Sequence, residues 1–222
     1  MDFAWLVNAL CYLLIIQVMG WAWLDRYNHF HFDVSPSVNR NLCIAMTVLL
    51  MLYSVTGLIQ FYGITDSTRV DYFRFAYYAW IVIGVIILLR FRDRPFLATG
   101  MYMMVLGVDR MITEICGVSW DVSGGITLEV IGGYFNVFLA IWMVISGLLW
   151  IKGRIRSRYP TIVMTALFFI MDLPILWYLI ENFISLMGGN TLVYVFTQLE
   201  IDMMYIVLIA LLLCNDNPGE QS

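Results

Sequence analysis

The chain has 222 residues, of which 62% are hydrophobic and only 13% are charged, and its formal net charge is −4. An average soluble domain is about half apolar and a quarter charged, so this composition predicts a polytopic protein of the lipid bilayer. The sequence has no basic tail, and nucleic acid is therefore excluded as an expected partner.

Seven charge-poor segments are each long enough to cross a hydrocarbon core of about 30 Å. The predicted fold is an all-α, seven-transmembrane-helix bundle that forms one domain over residues 1–214, with a short polar tail at 215–222. The predicted spans are 3–24, 41–65, 72–89, 96–116, 128–151, 161–187 and 191–214. The first segment lacks a positively charged start and a small-residue cleavage site, so it is predicted to span rather than to be removed.

Basic residues in the loops orient the bundle. With seven spans, nine of them fall on one side of the membrane and two on the other. The positive-inside rule then predicts an external N-terminus and a cytoplasmic C-terminus, in a plasma membrane or a bacterial inner membrane. Two basic turns dominate the count, and they comprise Arg90, Arg92, Arg94, Lys152, Arg154, Arg156 and Arg158. Setting the topology accounts for these turns, and docking of anionic lipid or of a partner protein is the alternative.

The loop after the first span contains the only two histidines, in the stretch YNHFHFD. In an extended segment His29, His31 and Asp33 would share one side, which is a weak transition-metal pattern. The favoured interpretation is an interfacial segment whose phenylalanines dip into lipid, because three alternating ligands lack a fourth. No metal is therefore expected.

Cofactor-dependent classes are disfavoured by the positions of a few residues. Lys152, the only lysine, lies in a predicted loop, so no retinal Schiff base can form inside the bundle. Neither histidine lies in a span, which excludes a bis-histidine haem. The sequence shows no nucleotide-binding glycine loop and no nucleophile–base set, so an enzyme is less favoured than a non-catalytic protein.

Small residues recur every seven positions in two consecutive spans. Gly100 and Gly107 lie in the fourth span, and Gly133, Ala140 and Gly147 lie in the fifth. A seven-residue spacing keeps these residues on one face, where their small size lets two helices approach closely. We therefore predict packing contacts along these faces.

Charged residues also lie inside the fourth span, which makes it the most doubtful of the seven. Arg110 and Glu114 are four residues apart, and the spacing predicts an ion pair within the helix. Asp109 points elsewhere, lies in the outer half of the membrane, and needs another partner.

The sixth span contains an acid and a proline near its centre. Asp172 lies ~17 Å from the cytoplasmic end of its helix. Pro174 cannot donate a backbone hydrogen bond, so the helix is predicted to kink and to act as a hinge there. A carboxylate beside a freed carbonyl resembles part of a proton or cation site.

The seventh span contains the stretch TQLEIDMMY at its middle. Glu200 and Asp202 point about 200° apart on a helix, so they cannot both line one narrow site. Asp202 shares the more polar face with Gln198 and Tyr205, which favours it for a central site. Glu200 is assigned to an outer contact or a subunit interface.

Acids buried in a membrane usually face a bundle interior or a watery cavity. The leading hypothesis is a conduit or transporter for protons or small cations, with Asp109, Asp172, Asp202 and Glu200 as its acids. Its neutral neighbours would be Asn136, Tyr178, Gln198 and Tyr205. Structural hydrogen bonding between helices is the plainer explanation of the same acids. The alternative function is a non-catalytic subunit that senses, anchors or assembles a larger membrane complex, through a homo-oligomer or partner subunits.

Overall fold

A computed structural model describes residues 35–62, 68–117, 128–154, 159–181 and 189–214. These residues form six helices and no strand, which confirms the all-α prediction for this part of the chain. The helices are α1 (Pro36–Tyr62), α2 (Thr68–Phe91), α3 (Pro95–Gly117), α4 (Leu128–Ile151), α5 (Tyr159–Glu181) and α6 (Gly189–Cys214). They correspond to the second to seventh predicted spans, whereas the first predicted span and the polar tail lie outside the described residues.

Within the described ranges, three helices contain stretches that are long and apolar enough to cross a membrane. These stretches are Pro36–Gln60 in α1, Arg74–Phe91 in α2 and Leu192–Cys214 in α6. The continuous apolar parts of α4 and α5, Asn136–Ile151 and Pro160–Ile170, are shorter. The helices are therefore compatible with a membrane protein.

Local sequence explains where several helices begin and end. Pro36 and Pro95 open α1 and α3, in the first turn, where backbone N–H groups have no partner within the helix. Beyond the end of α4, Gly153 adopts a positive φ of 63°. The N–H of Arg154 then donates to the carbonyl of Leu149 at 2.9 Å, which completes a glycine-based C-cap.

The helices α1 and α6 pack antiparallel along much of their length. Near one end the Asn39 amide donates to the Cys214 carbonyl at 3.4 Å. Toward the other end the Thr56 hydroxyl donates to the Glu200 carboxylate at 2.5 Å. Because the two contacts join opposite ends of the helices, the chain direction reverses between α1 and α6.

The most extensive helix pair is α3 against α4, and its small residues lie at the contact. A Cβ added to Gly147 would lie 2.6 Å from the carbonyl oxygen of Gly100. A Cβ added to Gly107 would lie 2.9 Å from the carbonyl oxygen of Ala140. The predicted close approach of these two faces is thus confirmed, and the pairing shows that α3 and α4 run antiparallel.

Helix α3 is the most enclosed of the described helices. Between Pro95 and Ile115 only Thr113 and Ile115 are exposed, whereas the other helices expose large apolar side chains. Helices α1, α2, α4 and α6 all contact α3. This central position explains how the least apolar of the predicted spans can carry charges: its neighbours, rather than lipid, surround them.

Candidate functional site

Arg110 of α3 lies at the centre of the buried polar groups. Its guanidinium Nη2 forms an ion pair with the Asp172 carboxylate of α5. Its Nε–H donates to the Tyr205 hydroxyl of α6 at 2.5 Å. One side chain therefore ties three helices together through a charge-assisted contact and a hydrogen bond.

Two aromatic rings lie near the same guanidinium. Its Cζ atom lies 5.8 Å from the Phe168 ring centre and 5.5 Å from the Tyr205 ring centre. The two rings are stacked with their planes 7° apart and their centres 5.9 Å apart. Cation–π contacts of this kind strengthen when water is excluded, so the rings stabilise the charge of Arg110 inside the bundle.

Asp109, the residue before Arg110, has donors for both of its carboxylate oxygens. The Tyr53 hydroxyl of α1 donates to Oδ2 at 2.9 Å, and the Trp80 indole N–H of α2 donates to Oδ1 at 3.3 Å. No spacing pattern pointed to these two partners, which come from the two helices that precede α3. Both carboxylate oxygens of Asp109 therefore accept hydrogen bonds from donors of the same chain.

Asp202 of α6 is as deeply buried as the other two acids, and its one hydrogen bond is long. Asp109, Asp172 and Asp202 are each only 4–5% exposed. The Gln198 amide donates to Asp202 Oδ1 at 3.4 Å, as expected for residues on one helix face. Among the described residues no group donates a hydrogen bond to Asp202 Oδ2. Arg110 is an electrostatic neighbour of this carboxylate.

The two remaining acids of the fourth and seventh predicted spans lie outside this group. Arg110 makes its ion pair with Asp172, and Glu114, the partner that the spacing predicted, is an electrostatic neighbour of the guanidinium. Glu114 instead accepts a hydrogen bond from Asn136 of α4 at 3.2 Å. Glu200 is partly buried and meets Thr56 of α1.

We define the Arg110 cluster as Asp109, Arg110, Asp172, Asp202 and Tyr205. It brings together four of the predicted site residues and adds Arg110 as their centre. One guanidinium accompanies three buried carboxylates, as the ion-pair partner of Asp172 and an electrostatic neighbour of Asp109 and Asp202, so full ionisation would leave two negative charges in excess. An uncompensated charge in a low-dielectric interior costs several kcal/mol, and protonation of a carboxyl would remove part of this excess.

Of the other predicted site residues, Gln198 contacts the cluster through Asp202, and several lie outside the described residues. Helix α5 continues through Pro174, and the hinge there stays a prediction. The basic side chains of the two turns that are described are exposed, namely Arg90, Arg92, Arg94, Lys152 and Arg154. The residues outside the described part are His29, His31, Asp33, Arg156 and Arg158, and the same is true of the side chain of Tyr178.

Sequence reasoning missed three groups that shape the site, namely Tyr53, Trp80 and Phe168. Aromatic residues are frequent in membrane helices, and their spacing alone does not tell which of them meets a charge. A usable signal was Arg110 itself, because a permanent charge in a helix interior must be met by acids of other helices.

No protein-family model, no curated protein and no solved structure matches this chain.

Proposed function

We propose that this protein is a seven-span membrane protein that moves protons or small cations across the bilayer through the Arg110 cluster. The observation that carries the proposal is the inward position of Asp109, Asp172 and Asp202, which come from three different helices. A path needs its acids inside the bundle, whereas a scaffold would turn them toward a partner protein. The assembly-subunit alternative is therefore less favoured.

Helix directions support the proposed topology. The α1–α6 and α3–α4 pairs are antiparallel. This is expected for helices that cross the membrane in alternate directions, because the members of each pair are an odd number of crossings apart in the chain. The parallel α1–α3 pair fits as well, since Thr47 meets Tyr102 and, further along both helices, Tyr53 meets Asp109. With the basic turns in the cytoplasm, the N-terminus would be outside.

In this proposal the members of the cluster have different tasks. Arg110 and Asp172 form a fixed ion pair. This pair keeps the middle of the bundle polar, so that a further charge can be accommodated there. Asp202 offers an oxygen that lacks a donor within the described residues. The proline in α5, Pro174, would let one half of that helix move and expose the cluster to either side.

The test is flux into liposomes that contain the purified full-length protein, for protons and for sodium and potassium ions. Wild type is compared with Asp202→Asn, and Asp93→Asn is the matched control because its side chain is 70% exposed. We expect flux in wild type and in the control, and loss of flux in Asp202→Asn. A well-folded wild type that carries none of these ions would refute the proposal.

The proposed topology has its own test. Single cysteines placed in the exposed turn at Arg92 and between α1 and α2, at residues 63–67, are labelled with a membrane-impermeant thiol reagent in intact cells. We expect the second position to react and the first to react only after the membrane is opened. The reverse pattern would invert the proposed orientation, and equal labelling would contradict a crossing by α2.

A further inference from the structure

We infer that the species carried by the Arg110 cluster is the proton and that Asp202 is the group that carries it. The inference rests on the proposed function, since it names the substrate of the same site. It assigns Arg110 the role of a permanent internal counter-charge.

The three buried acids differ in how their oxygens are occupied. Asp172 is held by the ion pair with Arg110, and Asp109 accepts hydrogen bonds at both oxygens. Asp202 has one long hydrogen bond, from Gln198 at 3.4 Å, and its Oδ2 has no donor among the described residues. Of the three, Asp202 is therefore the acid that is held least, by one long hydrogen bond at one oxygen.

The groups around these acids favour a proton over a metal cation. Tyr53, Trp80 and Gln198 present O–H or N–H hydrogens to the carboxylates, and hydrogens cannot ligate a metal ion. A bound proton instead makes the carboxyl neutral, so it needs no further ligand.

Charged and titratable groups lie on each helix that packs on α6. They are Arg110 and Asp109 from α3, Asp172 from α5, Tyr53 from α1 and Tyr205 of α6 itself. Only Arg110 among them is positive, and its guanidinium does not lose its proton. Two acids, Asp172 and Asp202, therefore compete for one guanidinium, and the protonation state of Asp202 sets how it is shared.

The chemical step is a proton transfer in both directions. Uptake forms an O–H bond at Asp202 Oδ2 with a proton from water on one side, and the carboxylate becomes neutral. Arg110 then interacts with Asp172 alone. Release breaks the same O–H bond, returns the proton to water on the other side, and restores the carboxylate near Arg110.

The experiment measures proton flux by a pH-sensitive dye inside liposomes that hold the full-length protein. External and internal salts are sodium, potassium or choline thiocyanate, because the permeant anion dissipates the membrane voltage. We expect equal proton flux in all three salts. We expect Asp202→Asn to lower the flux by about 100-fold or more, as for loss of a positioned proton-transfer group, and Asp202→Glu to retain it.

The possible outcomes separate this inference from the proposed function. Flux that stops in choline, with sodium or potassium carried instead, would overturn the proton assignment and leave the transport proposal standing. Flux that persists in Asp202→Asn would overturn the role of Asp202. Absence of any ion flux in wild type would overturn both proposals. The salt comparison uses wild type alone, so it does not depend on any variant folding.

Discussion

The two sides of helix α3 are built in contrasting ways. On one side Gly100 and Gly107 let the backbone of α4 approach so closely that added carbon atoms would meet carbonyl oxygens. On the other side Asp109 and Arg110 extend polar side chains toward α1, α2, α5 and α6. The first side depends on the absence of side chains, and the second depends on their charges.

This difference indicates which positions should tolerate substitution. The glycine side is uniform, because every added atom there meets backbone that cannot easily move. The charged side is uneven: Asp172 is ion-paired and Asp109 accepts hydrogen bonds at both oxygens, whereas Asp202 accepts one long hydrogen bond. Stability should therefore depend on Asp109 and Asp172, and ion movement should depend on Asp202.

The largest expected effect follows from removal of Asp172. The Asp172→Asn substitution leaves the buried guanidinium of Arg110 without its ion-pair partner, and it should lower the free energy of unfolding by about 3–5 kcal/mol. Arg110→Gln should cost less, because a carboxylate left alone can take up a proton whereas a guanidinium cannot lose one. Unfolding in mixed detergent micelles measures both.

A double variant sharpens this test. Combining Asp172→Asn with Arg110→Gln removes both charges, so part of the stability lost in Asp172→Asn should return. Asp93→Asn serves as control, since its contact with Arg92 is an exposed pair at 3.5 Å. If Asp172→Asn behaves like this control, the ion pair does not hold the helices together.

A smaller effect is expected from loss of the Tyr53 hydroxyl. Tyr53→Phe removes the 2.9 Å hydrogen bond to Asp109 and should lower the free energy of unfolding by about 1.5–3 kcal/mol, as for bonds to charged groups. The same substitution in an Asp109→Asn background should cost clearly less. Equal costs in both backgrounds would show that the hydroxyl acts through another contact.

The glycine side can be tested with a matched pair of substitutions. Gly147→Ala adds a Cβ that would lie 2.6 Å from the Gly100 carbonyl oxygen, and overpacking of this kind costs about 1–3 kcal/mol. Gly84→Ala meets the Met51 side chain at 3.1 Å, and that flexible side chain can move aside. Thermal unfolding should rank Gly147→Ala well below Gly84→Ala, and a reversed ranking would contradict the close approach of α3 and α4.

The smallest effect on stability is expected at Asp202. Asp202→Asn alters one long hydrogen bond and should change the free energy of unfolding by about 1 kcal/mol or less. Ion flux should nevertheless be lost in this variant. A large destabilisation, similar to that of Asp172→Asn, would mean that the two acids share one structural task.

Much of the fold was predictable because its signals are local. Apolar runs predicted the helical class, and the seven-residue spacing from Gly100 to Gly107 predicted a close helix contact. The same spacing arguments placed Gln198 and Asp202 on one face. Each of these inferences needs only the geometry of a single helix.

The candidate site was less predictable because its contacts join distant parts of the chain. Arg110 had Glu114 within reach along its own helix, and only tertiary structure brings Asp172 closer to the guanidinium. The donors to Asp109 come from α1 and α2, whose aromatic residues gave no distinguishing pattern. Sequence periodicity identifies which residues share a face but not which helix covers that face.

The enclosed position of α3 has a consequence for how the protein is made. On the proposed topology α3 enters the membrane with Asp109 and Arg110 exposed, each at a cost of about 2.5–3.5 kcal/mol at a helix centre. Tyr53 and Trp80 are synthesised before α3 and can receive Asp109 at once. Asp172 and Tyr205 are synthesised later, so Arg110 can form its contacts only after α5 and α6 have been made. Insertion of α3 should therefore depend on the helices that precede it, and its final packing should depend on α5 and α6.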